Sequence, residues 1–498
     1  MKCIATYFAG MLVLIASVAA LGAAAATRAA DADARSGESR RDLAGEIKAV
    51  LQDKYFNKAE VGIAIVKLGS SAADSKTIFS HESDIPLTPA SNLKLLTTSA
   101  ALDRLGSDFK FKTTLLHHEQ DLYLIGDGDP TIGDMELLKK SGWNSTTVFR
   151  TWAAELKKRG VTTVRNVSVD DSIFDEVFYH PNWLGRWANS SYAAQIAGVN
   201  MNLNCVDFFI RTTGAGQLAG YQTEPPTRYL DVKNSAVMGS RDAVRLGRIP
   251  GKNEVSITGT AQRNSIDPIS VPVQDPALYC ATVLAETLSR EGIKVTGAVQ
   301  RDRTASAQAK QSPGDWNLMA ALETPITTVL GRANKNSVNL YAECLCKRLG
   351  HEVTGKPGSW TNGPTAVAQF LKKIGAAEGQ FHIDDGCGLS RKNDVSAAAM
   401  TKLLVYNYFS NNKQIFLDSL GIAGVDGTLE KRFQNSDLRQ RVFAKSGYIE
   451  AVSSLSGYVK AKDGTWYAFS ILMNDLLAGT NPTAKDMQER IVKAVDRQ

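Results

Sequence analysis

A change in the residue pattern in the middle of the chain constrains its fold more than any other feature of the sequence. Between about Phe109 and Asp275, short β-like runs alternate with clusters of Gly, Asn, Asp and Pro, as in "LYLIGDGDPTIGD" and "NEVSITGTAQR". On both sides of this stretch the pattern is that of longer helices and strands. The sequence therefore predicts a β-rich domain, residues 109–276, inserted into a domain that is formed by residues 40–108 and 277–498.

The flanking parts predict an antiparallel sheet with helices packed on it. "RRDLAGEIKAVLQD" has helical spacing of apolar residues, and "VGIAIVKL" followed by "KTIFSH" predicts a strand pair. Near the C-terminus, "RVFAKSGYI", "SSLSGYVKAK" and "TWYAFSILMND" predict three antiparallel strands, and "NPTAKDMQERIVKAVDR" predicts a closing amphipathic helix. A helical region from about Trp316 to Phe416 completes this domain, so the predicted fold class is α+β.

Composition excludes several classes of protein. With 498 residues, 43% hydrophobic and 22% charged, the chain has the composition of a globular protein of more than one domain. Its formal net charge of +6 is spread along the sequence without a block of like charges. We therefore expect no nucleic acid as a partner.

The N-terminus has the pattern of an export signal. "MKCIATYFAGMLVLIASVAALGAAAATRAADADARSG" combines an early lysine, an apolar stretch and an Ala-rich run, which predicts a signal peptide over residues 1–26. An uncleaved anchor helix is the alternative, but the small residues at the end of the stretch favour cleavage. No later segment is apolar enough to span a membrane, so we expect a mature protein that is soluble outside the cytoplasm.

A serine and a lysine lie three residues apart at the predicted start of a helix, in "SNLKLLTTSAALDRLG", where Pro89 precedes the helix and Gly106 ends it. The backbone N–H of Ser91 is unpaired at such a position, and Lys94 projects from the same face one turn later. A neutral lysine amine could take the serine proton. The alternative is a helix cap followed by a surface lysine, and "SDFK" at Ser107 has the same spacing.

Two further stretches supply complementary groups. "NKNSVNLYAECL" contains Ser337 and Asn339 just before a predicted helix, and "FAKSGYI" contains Lys445, Ser446 and Gly447 on a predicted strand. A second match to SxN, "SNN" at Ser410, and a second "KSG", at Lys140, occur in the chain, but each stands in the wrong order or context. The ordered set SxxK, SxN and KSG therefore indicates one site assembled from three distant segments.

This ordered set resembles the penicillin-recognising serine acyltransferases, the penicillin-binding proteins and serine β-lactamases. Ser337 lies 246 residues after Ser91. A long β-rich insert at this place is similar to the D-alanyl-D-alanine carboxypeptidase/endopeptidase family, peptidase family S13, the class C low-molecular-mass penicillin-binding proteins. "LYLIGDGDPTI", "VSVDDSIFD", "FHIDDGCGLSRKNDVS", "GIAGVDGTLEKRF" and "KSGYIEAVSSLSGYV" resemble further family segments. The chain departs from the family pattern at Cys387, where Ser is common, at Ser446, where Thr is commoner, and at Tyr448, where a small residue is frequent.

The resemblance implies a role for each motif residue. Ser91 would be the acylated nucleophile and Lys94 its base. Ser337 would pass a proton to the leaving amine, and Asn339 would hold Lys94 and the substrate amide. Lys445 and Ser446 of the C-terminal motif would bind the substrate carboxylate. The backbone N–H groups of Ser91 and Tyr448 would form the oxyanion hole, and Gly447 would let the strand approach the substrate closely.

The same resemblance implies a fold and a reaction. The fold would be β-lactamase/transpeptidase-like with the large β-rich insert between SxxK and SxN. The reaction would be hydrolysis of the terminal D-Ala-D-Ala bond, and of D-Ala to diaminopimelate crosslinks, in peptidoglycan stem peptides through an acyl-enzyme. β-Lactams would be covalent inhibitors, no cofactor or metal would be required, and the sequence does not indicate an oligomeric state. The location would be periplasmic or otherwise extracytoplasmic.

Four other functions are alternatives to this interpretation. A zinc peptidase would need clustered ligands, but the chain has no HExxH and only "HHEQ" at His117 as a close pair. An α/β-hydrolase would need a G-x-S-x-G elbow, which is absent. A non-catalytic wall-binding protein and a serine β-lactamase stay open as alternatives. Turnover of a D-Ala-D-Ala peptide would separate the first from a peptidase, and the rate of deacylation after reaction with penicillin would separate the second.

Overall fold

The structure is a computed structural model, and it describes residues 42–498. The predicted signal peptide, residues 1–26, lies outside the described residues. Within the described part of the chain, no helix combines the length and the apolar character that crossing a bilayer requires.

A six-stranded antiparallel sheet joins the two ends of the chain. Its strands follow the spatial order Lys76–His81, Glu60–Lys67, Trp466–Asn474, Val452–Lys460, Val442–Ile449 and Gly421–Ile422. The N-terminal hairpin therefore pairs directly with the last strand, with Ile63 opposite Ile471. Helices Leu43–Leu51 and Asn481–Val495 share one hydrophobic cluster with this sheet and cover one face of it. The predicted hairpin, the three C-terminal strands and the closing helix are confirmed.

A group of helices packs on the other face of this sheet. These helices are Leu93–Leu105, Ile326–Asn334, Asn339–Thr354, Asn362–Lys373, Ala397–Phe409 and Lys413–Ser419. A small sheet of Phe381–His382, Asp394–Ser396 and Pro86–Leu87 lies among them. Their buried residues form one cluster with residues of the sheet such as Ala64 and Leu472. The predicted α+β class is confirmed, but the helical region begins at Ile326, because Asn317–Pro325 is a strand.

The inserted unit is built on a second sheet of five strands. Their order is Val299–Arg301, Val167–Asp170, Asp121–Ile125, Lys110–His118 and Asn317–Pro325. Helices Thr147–Lys158 and Pro276–Arg290 pack on it, and Met135–Leu138 and Ala305–Gln311 are short helices. Smaller sheets complete the unit, formed by Ile269–Pro272, Cys205–Arg211 and Gly220–Glu224; by Asp231–Asn234, Glu254–Thr258 and Arg245–Arg248; by Val237–Met238 and Thr260–Ala261; and by Lys294–Val295 and Thr163–Val164.

The packing of the insert does not change at the expected boundary between residues 276 and 277. Tyr279 and Val283 of the helix Pro276–Arg290 belong to the same buried cluster as Leu115 and Val167 of the five-stranded sheet. The strand Asn317–Pro325 pairs antiparallel with Lys110–His118 in this sheet. We therefore propose that the inserted unit spans residues 110–325. A helical pattern fits either domain, so the sequence gives no sign of which sheet the helix covers.

Candidate active site

Ser91 and Lys94 stand at the start of a buried helix. Ala90–Asn92 form a 3-10 turn, the α-helix begins at Leu93, and Gly106, with φ of 86°, ends it as expected. The leucines near the start of this helix are buried in the core, and Lys94 among them is also 0% exposed. The Lys94 Nζ lies 2.9 Å from the Ser91 Oγ. The alternative of a surface lysine is therefore wrong.

The Lys94 amine has three oxygen partners. Besides the Ser91 hydroxyl, its Nζ lies 2.6 Å from the Asn339 Oδ1 and 2.8 Å from the Cys387 backbone oxygen. An amide oxygen and a backbone carbonyl can only accept hydrogen bonds, so they take the two N–H groups of a neutral amine. The nitrogen lone pair is then left for the Ser91 hydroxyl. An amine in this position fits the predicted role of Lys94 as the base for Ser91.

Burial controls the ionisation of both lysines of the site. It lowers the pKa of Lys94, and the carboxylates of Asp385 and Glu343 partly oppose this effect. The pKa of Lys445 is well below its ordinary value, chiefly through burial and also through the nearby Lys94. Burial raises the pKa of the Cys387 thiol well above its usual value, which keeps this thiol neutral. A neutral Lys94 is thus favoured by the surroundings of the site.

The pKa of Lys94 predicts how acylation depends on pH. Protonation removes the lone pair, so the acylation rate is lost as pH falls through the pKa of Lys94. Because burial lowers this pKa, we expect the midpoint of the acid limb to lie clearly below the ordinary lysine value of about 10.4. The measurement is the second-order rate constant for acylation by a labelled penicillin across pH. A midpoint at the ordinary lysine value would contradict this account.

The second lysine pairs with the second serine. Lys445 lies on the strand Val442–Ile449, is 0% exposed, and its Nζ donates to the Ser337 Oγ at 2.9 Å and to the Ser446 backbone oxygen at 2.7 Å. Ser337 has a positive φ of 61°, just before the helix that begins at Asn339. The Ser446 hydroxyl donates to the Thr428 Oγ1 at 2.8 Å. The three predicted segments therefore meet in one site.

Gly447 brings the strand against the Ser91 turn. A Cβ at this position would lie 2.2 Å from the Ser454 Oγ, 2.8 Å from the Pro89 oxygen and 2.9 Å from the Ser91 backbone nitrogen. A strand backbone this close suits an oxyanion hole formed by the N–H groups of Ser91 and Tyr448, which stays a prediction. The Tyr448 side chain is 57% exposed and points away from the packed core.

Replacing Gly447 with alanine tests this close approach. The methyl group would displace the strand from the Ser91 turn, because two of the three close contacts are backbone atoms. We expect acylation by penicillin to slow about 10²-fold or more, the usual cost of losing one oxyanion donor. Gly464→Ala is the control, because it makes the same substitution at an exposed turn where nothing lies within 4 Å of the new methyl group. The φ of +90° at Gly464 means that this control loses some stability. An unchanged acylation rate in Gly447→Ala would contradict the role of this approach.

Sequence reasoning missed three contributors to the site, and two of them act through backbone atoms. The Cys387 carbonyl accepts from Lys94, and the Tyr192 carbonyl accepts from the Asn339 Nδ2 at 2.7 Å. Tyr192 belongs to the insert, which therefore forms part of the wall of the site. A backbone carbonyl has no residue-type signature. The hydroxyl of Thr428 lies in "GVDGTL", a segment that was noted only for its family likeness.

One group of residues in the described part of the chain has the spacing of metal ligands: Glu343, Asp385 and Cys387, whose ligand atoms lie within 4.8 Å of one another. Their surroundings suit hydrogen bonding better than a metal ion. The Glu343 oxygens accept from the Gly386 N–H, and the Asp385 oxygens accept from several backbone amides. The oxygens of Glu343 and Asp385 therefore already have backbone N–H groups as partners.

Comparisons with known proteins agree with this geometry. The profile of the D-Ala-D-Ala carboxypeptidase 3 (S13) family matches residues 43–498. A D-alanyl-D-alanine carboxypeptidase from Actinomadura sp. is 30% identical, over 88% of this chain and 82% of that protein. The D-alanyl-D-alanine carboxypeptidase DacB of Haemophilus influenzae is 26% identical, over 78% of this chain and 81% of that protein.

A solved structure shows the same fold. Penicillin binding protein 4 (dacB) from Haemophilus influenzae superposes with a TM-score of 0.74 at 22% identity, covering 91% of this chain and 99% of that one. The predicted transpeptidase-like fold is thereby confirmed. Together with the family match over residues 43–498, these findings show that the chain belongs to the D-Ala-D-Ala carboxypeptidase 3 (S13) family.

Proposed function

We propose that the protein is a serine-type D-Ala-D-Ala carboxypeptidase that acts on peptidoglycan stem peptides through an acyl-enzyme on Ser91. One observation carries this proposal. The buried amine of Lys94 lies within hydrogen-bond distance of the Ser91 hydroxyl, while its two other partners are oxygens that can only accept. Such an amine can remove the hydroxyl proton at the moment of attack.

In the acylation step, the Ser91 proton moves to the Lys94 Nζ while the Ser91 Oγ attacks the carbonyl carbon of the penultimate D-Ala. The N–H groups of Ser91 and Tyr448 stabilise the oxyanion of the tetrahedral intermediate. The helix that follows Ser91 adds the positive end of its dipole. The proposed base therefore acts on the attacking hydroxyl, and the backbone N–H groups act on the oxygen of the carbonyl that is attacked.

The leaving group is the amine of the terminal D-Ala. As the C–N bond breaks, Ser337 passes its hydroxyl proton to this amine and is reprotonated with the proton that Lys94 took from Ser91, so Lys94 is neutral again. Lys445, which contacts the Ser337 Oγ, is part of this proton network. Lys445 and Ser446 bind the carboxylate of the terminal D-Ala. A bound carboxylate favours the charged form of Lys445, which offsets the burial that lowers the pKa of this lysine.

Water completes the cycle. Lys94 takes a proton from the water as it attacks the acyl carbon and returns a proton to the Ser91 Oγ as the ester bond breaks, which releases the shortened peptide and restores both residues. A β-lactam presents a carbonyl and a carboxylate with similar spacing, so we propose that it acylates Ser91 and inhibits the protein. The same chemistry on D-Ala to diaminopimelate crosslinks gives the proposed endopeptidase activity. A substrate in the cell wall fits the predicted export signal at residues 1–26.

Mass spectrometry of products from purified crosslinked muropeptides tests the proposal. We expect release of D-Ala from pentapeptide stems and, for the endopeptidase activity, conversion of crosslinked dimers to monomers. Separate measurement of penicillin turnover distinguishes a β-lactamase, which would deacylate quickly and leave muropeptides intact. Muropeptides that stay unchanged at high protein concentration would contradict the proposed function.

A further inference from the structure

The two acceptors that orient Lys94 come from different parts of the fold. The Asn339 Oδ1 belongs to the first residue of the helix Asn339–Thr354, whereas the Cys387 carbonyl lies on the loop of residues 385–390. The lone pair of Lys94 points at Ser91 only if these two acceptors keep a constant position relative to each other. Some contact must therefore tie the loop to the helix.

Glu343 makes this tie. It follows Asn339 by four residues on the same helix, so both side chains lie on one face. Its Oε1 and Oε2 accept from the Gly386 N–H at 3.0 and 3.1 Å, immediately before Cys387, and its Oε2 accepts from the Trp360 indole at 2.7 Å. Glu343 is 0% exposed. Both oxygens of the Glu343 carboxylate therefore have protein donors and neither faces solvent.

The loop lies directly on this helix and has a rigid internal shape. A Cβ at Gly386 would lie 2.5 Å from the Cys346 Cβ and 2.9 Å from the Ala342 oxygen. Asp385 accepts from the N–H groups of Gly388 at 2.7 Å and Ser390 at 2.6 Å, and from others of the loop. Asp385 thus shapes the loop, whereas Glu343 attaches it to the helix.

We propose that Glu343 is a positioning residue of the acylation step, which holds the Cys387 carbonyl and the Asn339 side chain in one frame so that the lone pair of Lys94 faces Ser91. Glu343 touches neither Ser91 nor the substrate site, and it positions Lys94 through these two groups. The proposal rests on the proposed function, since it assigns Glu343 a part in the reaction of Ser91.

Charge gives Glu343 a second effect, on the same lysine. The charged or titratable groups that face Lys94 are Asp385, Glu343 and the Cys387 thiol on one side and Lys445 on the other. The negative charge of Glu343 raises the pKa of Lys94, against the lowering by burial. Burial also raises the pKa of Glu343, while its indole and amide donors favour the ionised form. Removing this charge would lower the pKa of Lys94 further.

Two variants of the full chain separate position from charge. Glu343→Gln keeps the length but replaces one accepting oxygen with an NH2 group, which weakens the tie to the Gly386 N–H, and it loses the charge. The acid limb of penicillin acylation should therefore move to lower pH, and the plateau rate should fall about 10- to 100-fold. Glu343→Asp keeps the charge but is one methylene too short to reach the Gly386 N–H. Its plateau should fall similarly, with the limb close to that of the wild type. An unchanged plateau in both variants would overturn the proposal.

Asp134→Asn is the matched control. Asp134 is also a buried carboxylate, and it accepts from Arg332 and from Tyr341 of the same helix, away from Lys94. We expect a lower melting temperature and an unmoved acid limb in this variant. A limb that moves as far as in Glu343→Gln would make the shift a general effect of destabilisation and overturn the proposal.

If wild-type protein is not acylated at Ser91, the proposed function itself fails, whereas normal wild-type acylation with unaffected Glu343 variants rejects only this inference.

Discussion

Changing Ser91 to alanine is expected to abolish covalent labelling of the protein by penicillin. The proposed acyl-enzyme forms on the Ser91 Oγ, and the proposed role of the neighbouring Lys94 and Ser337 is proton transfer, so we expect neither to replace it. Release of D-Ala should fall by a factor on the order of 10⁶, the loss seen when a serine hydrolase loses its nucleophile. The measurements are intact-protein mass after incubation with penicillin and D-Ala release from a pentapeptide stem.

The variant is well suited to this test because its fold should persist. Alanine keeps the backbone N–H of position 91 and the 3-10 turn Ala90–Asn92. Within the described residues, the Ser91 hydroxyl forms a side-chain hydrogen bond with Lys94 alone. We therefore expect a melting temperature close to that of the wild type and retained non-covalent binding of penicillin. Covalent label in Ser91→Ala at the wild-type level would reject Ser91 as the nucleophile.

Replacing Lys94 with methionine should have the second largest effect. Methionine fits a buried site of similar length and cannot accept a proton, so acylation should slow about 10²- to 10⁴-fold, the range for a lost general base. The Asn339 Oδ1 and the Cys387 carbonyl would each lose a donor, with a stability cost of about 1–3 kcal/mol for each unsatisfied group. The acylation rate constant and the melting temperature together measure both effects.

The chain offers a matched control for this exchange. Lys347 is also 0% exposed, and its Nζ pairs with Asp175 at 2.7 Å, outside the proposed site. Lys347→Met should lower stability, because it leaves the partly exposed Asp175 without its buried partner, but it should leave the acylation rate of the folded protein within a few-fold of the wild type. A Lys94→Met variant that acylates within tenfold of the wild type would show that another group is the base.

The sequence predicted the elements of the main sheet and the segments that carry the site because both have local signatures. Runs rich in aromatic and β-branched residues indicate the strands Val442–Ile449 and Trp466–Asn474, and the three-residue spacing of Ser91 and Lys94 corresponds to one helical turn. The order of the three motifs then separated them from copies of the same tripeptides elsewhere in the chain. The roles of these residues stay predictions until the variants are measured.

The groups that sequence reasoning missed depend on tertiary structure. The oxygens that hold Lys94 and Asn339 in place include backbone carbonyls of Cys387 and Tyr192, which any residue could supply. The boundary of the insert depends on pairing between distant strands, such as Lys110–His118 with Asn317–Pro325. Neither kind of contact leaves a periodic pattern in the residues that make it, so only the assembled fold reveals it.

Trapping the acyl-enzyme formed from a natural substrate tests the central claim most directly. The protein would be mixed with a peptide that ends in D-Ala-D-Ala, quenched in acid at short times, digested and analysed by mass spectrometry. We predict that the peptide that contains Ser91 carries the acyl group, with one D-Ala released for each acyl group formed. Release of D-Ala without any adduct at early times, or an adduct on a residue other than Ser91, would contradict the account.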